Sequence, residues 1–169
     1  NQNKLITEEF DYVVCATGHF STPNIPRFDG LSMSSGRVLH SHEFRDAREF
    51  KGQDVLIIGS SYSAEDIGTQ CYKYGAKSIT FSYRTNPIGH DWPEGFTEVP
   101  LLERMDDDVA HFKDGTKKKI DSVILCTGFK FNFPFLHDNV RLVAKESIYP
   151  ENLYKGVCLI DNPKMFYVG

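Results

Sequence analysis

Hydrophobic residues along the chain fall into short runs that end at glycine, proline or charged positions. Five such runs, at residues 11–16, 38–40, 54–58, 78–83 and 121–126, predict β-strands. The run at 54–58 is apolar at every interior position, which is typical of a parallel strand covered on both faces. We therefore expect an α/β fold built on a parallel sheet.

A helix is predicted between the strands at 54–58 and 78–83. It covers residues 63–74, and Gly75 follows it in a position that suits a left-handed C-terminal cap. A strand, a helix and a second strand make one βαβ unit, which is the building block of a Rossmann-like domain.

The second half of the chain carries turn signals. Residues 86–100 are rich in proline and glycine and are predicted to be a loop. The segments 109–112 and 117–120 flank an Asp114-Gly115 pair, which predicts a β-hairpin. Three lysines follow this turn, and we interpret Lys117, Lys118 and Lys119 as solvated residues on a sheet edge.

A sequence pattern that occurs twice suggests the domain boundaries. Asp11-x-Val13-x-x-x-Thr17-Gly18 is repeated as Asp121-x-Val123-x-x-x-Thr127-Gly128. Each copy is a strand that ends at Thr-Gly, so we interpret the pair as two crossings between domains; chance similarity of two apolar strands is the alternative. The expected segments are 1–26, the last strand of an incomplete first domain with its linker; 27–125, a domain inserted into the first one; and 126–169, a linker returning into the first domain.

The residues with the clearest chemistry lie between the 54–58 strand and the helix. A dinucleotide pyrophosphate is bound by backbone N–H groups at a helix N-terminus, provided that small residues let it approach. The usual pattern is Gly-x-Gly-x-x-Gly or Ala. The segment here, called the 59–64 loop below, is Gly59, Ser60, Ser61, Tyr62, Ser63 and Ala64. Ser61 replaces the middle glycine, but it is small and its hydroxyl can donate to a phosphate.

The end of the 78–83 strand indicates which dinucleotide is bound. NAD sites usually place an acidic residue there for the ribose 2′-hydroxyl. None of the residues 82–85 is acidic; Arg84 and Thr85 stand there instead. A guanidinium can hold a 2′-phosphate through two hydrogen bonds. We therefore predict NADPH rather than NADH, with a solvated surface arginine as the alternative.

Composition narrows the function classes. The net charge of -4 gives no support for a nucleic-acid partner or an anionic membrane. No apolar run has membrane-spanning length, and the four cysteines form no CxxC pair, so we expect reduced core thiols in a cytoplasmic protein. A homodimer is left open.

The histidines and the single tryptophan allow only weaker predictions. No cysteine or carboxylate pattern completes a metal site around His40 and His42, so no metal is expected. His40 is interpreted as a residue that fixes the fold near the interdomain linkers. Trp92 either covers the nicotinamide side of the site or simply packs.

Several motifs together resemble the flavin-containing monooxygenase family, and within it most closely the bacterial trimethylamine monooxygenases. The 59–64 loop with the following Glu65-Asp66-Ile67 is similar to the family's NADPH loop. Two Ala-Thr-Gly-aromatic linkers of the family have counterparts at residues 16–19 and, with Cys126 in place of alanine, at 126–129. The family fingerprint is Phe-x-Gly-x-x-x-His-x-x-x-Tyr/Phe. Gly36-x-x-x-His40-x-x-x-Phe44 is similar to most of it, but Ser34 stands in the position of the leading phenylalanine.

This resemblance implies a function. NADPH reduces FAD, the reduced flavin reacts with O2 to form a C4a-hydroperoxide, and a small amine substrate such as trimethylamine is converted to its N-oxide. It also implies that the 59–64 loop, Arg84 and Thr85 bind the nicotinamide dinucleotide, and that no catalytic residue lies in this stretch. The family's FAD loop, of the Gly-x-Gly-x-x-Gly type, does not occur here. The resemblance therefore implies a middle fragment that is inactive by itself, with an NADPH-binding domain at 27–125 between two pieces, 1–26 and 126–169, of an incomplete FAD domain.

Two other functions stay open at this point. One is another flavoprotein with two dinucleotides, such as a Baeyer–Villiger monooxygenase or a disulfide reductase, although the latter needs a redox cysteine pair. The other is a non-catalytic NADP-binding module.

Overall fold

The computed structural model describes residues 6–142 and 150–168. The parts of the predicted segments 1–26 and 126–169 that fall on residues 1–5, 143–149 and 169 lie outside the described residues. The chain divides into two compact units, one formed by Pro23–Gly128 and the other by Asn1–Thr22 together with Phe129–Gly169.

The regular elements are short. The α-helix among the described residues, α1, spans Tyr62–Lys73, and 3-10 turns occur at Leu31–Met33, Ser41–Glu43 and Ala47–Phe50. The strands are β1 Val13–Cys15, β2 Thr22–Pro23, β3 Arg37–His40, β4 Asp54–Ile58, β5 Ser78–Tyr83, β6 Phe96–Pro100, β7 Leu102–Asp106, β8 Val109–Phe112, β9 Lys117–Lys119, β10 Ser122–Leu125, β11 Phe129–Lys130, β12 Leu153–Tyr154, β13 Cys158–Leu159 and β14 Met165–Tyr167.

The larger unit contains a parallel sheet with the strand order β3-β10-β4-β5-β6. Each neighbouring pair in this sheet is parallel. Helix α1 connects β4 to β5, as the βαβ prediction requires, whereas β10 pairs with β4 on the other side. The predicted α/β fold with a parallel sheet is therefore confirmed.

Both faces of this sheet are covered, which explains the continuous apolar run of β4. Val55 and Ile57 belong to one core cluster, which includes residues of α1. Leu56 and Ile58 belong to a second cluster with residues of β7 and β8. All four side chains are at most 1% exposed. Burial of such a side chain stabilises the fold by about 1.5–3 kcal/mol.

The second covering layer is a three-stranded antiparallel sheet with the order β7-β8-β9. The predicted hairpin between β8 and β9 is confirmed, and at its turn the backbone N–H of Thr116 donates to the Asp114 side chain at 2.9 Å. One interpretation was wrong: Lys118 is half-buried, and its Nζ donates to Thr80 Oγ1 at 3.3 Å. Alternation along β9 turns this middle lysine towards the parallel sheet while its two neighbours stay exposed.

The loop predicted for residues 86–100 was wrong at its end, because β6 forms there and pairs with β5. The strand is stabilised by contacts that are remote in sequence: Phe96 stacks on Phe81, with ring centroids 5.9 Å apart. Pro100 is tolerated because β6 is the edge strand and no further strand needs its missing N–H.

The smaller unit contains a four-stranded sheet with the order β1-β14-β13-β12. β1 pairs in parallel with β14, so the predicted 11–16 strand is present but limited to Val13–Cys15. A separate core supports this sheet, formed by Cys15, Phe133, Leu142, Leu159, Met165 and Tyr167.

Candidate dinucleotide-binding site

Gly59 begins the 59–64 loop at the carboxyl end of β4. Its φ angle is 134°, a conformation that side-chain-bearing residues rarely adopt. A Cβ atom at this position would lie 2.3 Å from the backbone oxygen of Cys126. The Gly59 N–H donates to Ser82 O at 2.9 Å. Glycine is therefore required here both by the backbone conformation and by the close approach of the residue that follows β10.

The next residues of the loop form the N-terminus of α1. Ser61 caps the helix through its backbone oxygen, which accepts from Ala64 N at 2.8 Å and from Glu65 N at 3.2 Å. The Ser61 side chain makes no capping hydrogen bond. Ser61, Tyr62 and Ser63 are exposed, and Ser60 is half-buried. The hydroxyl groups of the loop and the first N–H groups of the helix can therefore bind an anion.

Small residues bring α1 close to the sheet. Ala64 is fully buried, as its place in the motif predicts. The tighter contact occurs one turn later, because a Cβ atom at Gly68 would lie 2.5 Å from Phe81 Cζ. Sequence reasoning missed Gly68, although a second small residue four positions after Ala64 was a readable signal.

Arg84 and Thr85 directly follow β5. Because β4 and β5 are parallel and Ile58 is paired with Ser82, the segments that follow the two strands emerge at the same edge of the sheet. Both side chains are exposed. The structure thus places Arg84 and Thr85 at the edge that carries the 59–64 loop, while their contact with a 2′-phosphate stays a prediction.

This edge also contains the point where the strand order reverses. From β4 the chain continues through α1 to β5 on one side, whereas β10 lies on the other side. In open α/β sheets ligands bind in the crevice at such a point. Thr127 and Gly128 follow β10 there and are bonded to Asn24: Asn24 N donates to Gly128 O at 2.9 Å, and Asn24 Nδ2 donates to Thr127 O at 3.2 Å.

His40 ends β3 at the same edge and is 1% exposed. The His40 Nδ1 accepts from the backbone N–H of His42 at 3.1 Å, and the backbone N–H of His40 donates to Glu43 Oε2 at 3.1 Å. Burial lowers the pKa of His40, and a backbone hydrogen bond with Gly128 acts in the opposite direction. This burial and these contacts agree with the predicted fold-fixing role, which stays a prediction. Within the described ranges no three His, Cys, Asp or Glu side chains are grouped to hold a metal ion.

The segment after β5, residues 84–92, is called the 84–92 loop below. Of the two interpretations of Trp92, the structure favours packing: its ring stacks on Phe96 with centroids 4.9 Å apart and also contacts Phe81. The Trp92 Nε1 donates to Glu98 of β6. His90 contacts Glu65 in the first turn of α1 at 3.2 Å. Neither Glu98 nor the His90–Glu65 contact was recognised from sequence.

The cysteines lack features of a redox site. All four are free; Cys15, Cys71 and Cys126 are buried, as expected of core thiols, whereas Cys158 is half-buried. Burial raises the pKa of both Cys71 and Cys126 to about 12. These two groups are therefore neutral thiols at physiological pH and poor nucleophiles.

No α-helix in the described part of the chain has the length and apolar character needed to cross a membrane.

Two family models match the chain. One, described as pyridine nucleotide-disulphide oxidoreductase, matches residues 6–99. The other, described as flavin-binding monooxygenase-like, matches residues 96–165.

Known proteins match almost the whole chain. A trimethylamine monooxygenase of Methylocella silvestris is 58% identical over 99% of the chain, and one of Roseovarius sp. (strain 217) is 55% identical over 99%. The crystal structure of Tmm from Pelagibacter sp. strain HTCC7211 superposes with a TM-score of 0.90 at 52% identity over 99% of the chain. The chain spans 37% to 38% of the length of these three proteins.

Proposed function

Because the chain belongs to the pyridine nucleotide-disulphide oxidoreductase family, and its C-terminal part to the flavin-binding monooxygenase-like family, we propose that it forms the NADPH-binding portion of a flavin-dependent monooxygenase. The observation that carries the proposal is the edge of the parallel sheet shared by the 59–64 loop and Arg84. An anion-binding helix terminus and a guanidinium stand after adjacent strands there.

The helix terminus and Arg84 bind different parts of the dinucleotide. The pyrophosphate lies on the first N–H groups of α1, where Gly59 permits the close approach and the hydroxyls of residues 60–63 add donors. Ala64 keeps the helix against the sheet. Arg84 binds the adenosine 2′-phosphate, with Thr85 as a further donor. The bound nucleotide is therefore NADPH.

In the longer protein, FAD supplies the oxygen chemistry when it is bound, and O2 and a small tertiary amine are the substrates. The choice of trimethylamine rests on the names of the relatives that match this chain at 50–58% identity. This chain contains no Gly-x-Gly-x-x-Gly segment, so the FAD loop belongs to another part of that protein. The role of the present residues is to bind NADPH and to hold it in position.

The dissociation constants of NADPH and NADH test the cofactor assignment. Wild-type full-length protein is compared with Arg84→Ala and with Arg84→Lys. The lysine keeps the positive charge but cannot form the bidentate hydrogen bonds of a guanidinium. Arg84→Ala should weaken NADPH binding by roughly 10- to 100-fold, because a hydrogen bond to a charged group contributes about 1.5–3 kcal/mol. NADH binding should be nearly unchanged, and Arg84→Lys should lie between. An unaltered NADPH/NADH preference in Arg84→Ala would overturn the assignment.

The reaction is tested with purified full-length protein. A flavin absorption spectrum together with NADPH oxidation that depends on trimethylamine supports the proposal. Oxidation that depends on ketones favours a Baeyer–Villiger enzyme instead. Protein without flavin that binds NADPH at full affinity indicates a binding module.

A further inference from the structure

We infer that Glu98 is a positioning residue that fixes the 84–92 loop and thereby sets the preference for a 2′-phosphorylated dinucleotide. Glu98 lies on β6 and is separate from the predicted binding residues. The inference rests on the proposed NADPH site, because Glu98 is inferred to hold in place the loop that carries Arg84 and Thr85. The expected contact is indirect: Glu98 acts on the loop, and the loop presents the phosphate-binding residues.

One carboxylate holds three points of the loop. Glu98 Oε2 accepts from Ile88 N at 2.6 Å, and Glu98 Oε1 accepts from Gly89 N at 3.0 Å and from Trp92 Nε1. Hydrogen bonds to a charged acceptor are about twice as strong as neutral ones. Since the donors come from two adjacent backbone positions and one side chain, the carboxylate fixes both the path of the loop and the orientation of its tryptophan.

Aromatic packing also holds the 84–92 loop. The Trp92 ring is nearly parallel to the Phe96 ring, at an interplanar angle of 11°, and both rings contact Phe81 of β5. His90 contacts the ring of Trp92 edge-on, with centroids 5.2 Å apart, and also reaches Glu65 of α1. The 84–92 loop is therefore held between β6 and the first turn of α1, the turn that begins in the 59–64 loop.

The charge of Glu98 makes the inference sharply testable. NADPH is an anion and is repelled by a carboxylate, so removal of the Glu98 charge alone should strengthen NADPH binding. Loss of the three hydrogen bonds should instead loosen the 84–92 loop and weaken NADPH binding. The two effects have opposite signs, and the sign of the change identifies which one dominates.

The experiment compares Glu98→Gln and Glu98→Ala with Glu103→Gln in full-length protein. Glu98→Gln keeps the shape and one acceptor oxygen, whereas Glu98→Ala removes all three contacts. Glu103 is exposed on β7, so Glu103→Gln is a control for the same loss of charge. Two quantities are measured: the hydrogen-exchange rates of the Ile88 and Gly89 amides, and the dissociation constants of NADPH and NADH.

We expect amide exchange at Ile88 and Gly89 to accelerate by about tenfold or more in Glu98→Gln, and further in Glu98→Ala. In both Glu98 variants the dissociation constant of NADPH should rise by about 5- to 30-fold, whereas that of NADH should change by less than about threefold. Glu103→Gln should change neither quantity. This combination supports a positioning role, because a general loss of stability would affect both nucleotides equally.

Other outcomes overturn the inference. Tighter NADPH binding in Glu98→Gln would mean that Glu98 acts only through its charge. Faster amide exchange with an unchanged NADPH/NADH ratio would mean that the loop is anchored by Glu98 but does not set the preference. If the wild type fails to prefer NADPH, the proposed function is wrong and the selectivity role falls with it, while the exchange rates still report whether Glu98 anchors the loop.

Discussion

Gly59 and Cys126 approach each other so closely that a Cβ atom on Gly59 would lie 2.3 Å from the Cys126 carbonyl oxygen. The two residues follow β4 and β10, the neighbouring strands at which the strand order reverses. The 59–64 loop is therefore fixed against the end of β10 by backbone contact, before any ligand binds.

This contact predicts a large cost for Gly59→Ala. The variant combines an unfavourable φ angle with a clash against a backbone atom that cannot rotate away. We expect the free energy of unfolding to fall by about 2–4 kcal/mol, measured by urea denaturation.

Gly52→Ala is the matched control, because Gly52 has a φ angle of 75° but no atom within 4 Å of its added Cβ. It should cost only about 1 kcal/mol. Equal losses in the two variants would contradict a role for the contact with Cys126.

The buried His40 predicts a loss of stability in acid. Burial lowers its pKa below the usual value of 6.5, so the folded state prefers the neutral ring. As the pH falls below that value, the unfolded chain takes up a proton that the folded protein excludes, and the free energy of unfolding decreases. His40→Asn keeps an acceptor for the His42 N–H but cannot titrate, so we expect a flatter stability profile between about pH 7.5 and pH 5.5.

Urea denaturation at several pH values measures this profile. His137→Asn, at an exposed position, is the control and should keep the wild-type slope. A wild-type slope in His40→Asn would show that other groups carry the acid sensitivity.

The cysteines should differ strongly in reactivity. Cys71 is completely buried and Cys126 is 6% exposed, and burial raises both pKa values to about 12. Cys158 is half-buried. At about pH 8 we expect iodoacetamide to modify Cys158 at least about a hundred times faster than Cys71 or Cys126, as followed by peptide mass spectrometry. Comparable rates in the native protein would contradict the burial of the two thiols, and denatured protein provides the reference for full reactivity.

The raised thiol pKa values also predict a limit in alkali. Above about pH 9 the unfolded chain ionises these groups while the folded protein keeps them neutral until about pH 12. Stability should therefore decrease with rising pH through this window. Cys71→Ala should reduce the slope when denaturation midpoints are compared; an unchanged slope would assign it to other residues.

Lys118 and Thr80 should be energetically coupled. The Lys118 ammonium donates to Thr80 Oγ1, and burial lowers its pKa, while Asp54 acts in the opposite direction. Thr80→Val should destabilise the protein by about 1 kcal/mol, and the same change in a Lys118→Met background should cost less. A double-mutant cycle in urea measures the difference. Additive effects would mean that the hydrogen bond contributes nothing.

Several features were predictable because their signals are local. The bounds of β4 and β5 follow from apolar runs, and α1 and the β8–β9 hairpin follow from capping and turn residues. The resemblance to flavin-containing monooxygenases is confirmed by the family models and relatives, because a specific order of short motifs survives in the sequence itself. The individual cofactor contacts of the 59–64 loop, Arg84 and Thr85 stay predictions.

The sequence by itself determined the α/β class and the βαβ unit, since each depends on neighbouring residues. Only the tertiary structure decided the position of β10 beside β4, the strand β6, the burial of Lys118 and the contacts of Glu98 with the 84–92 loop. Each of these depends on a partner that is remote along the chain or on another element. A local pattern carries no information about which distant backbone will supply that partner, so only the folded chain selects it.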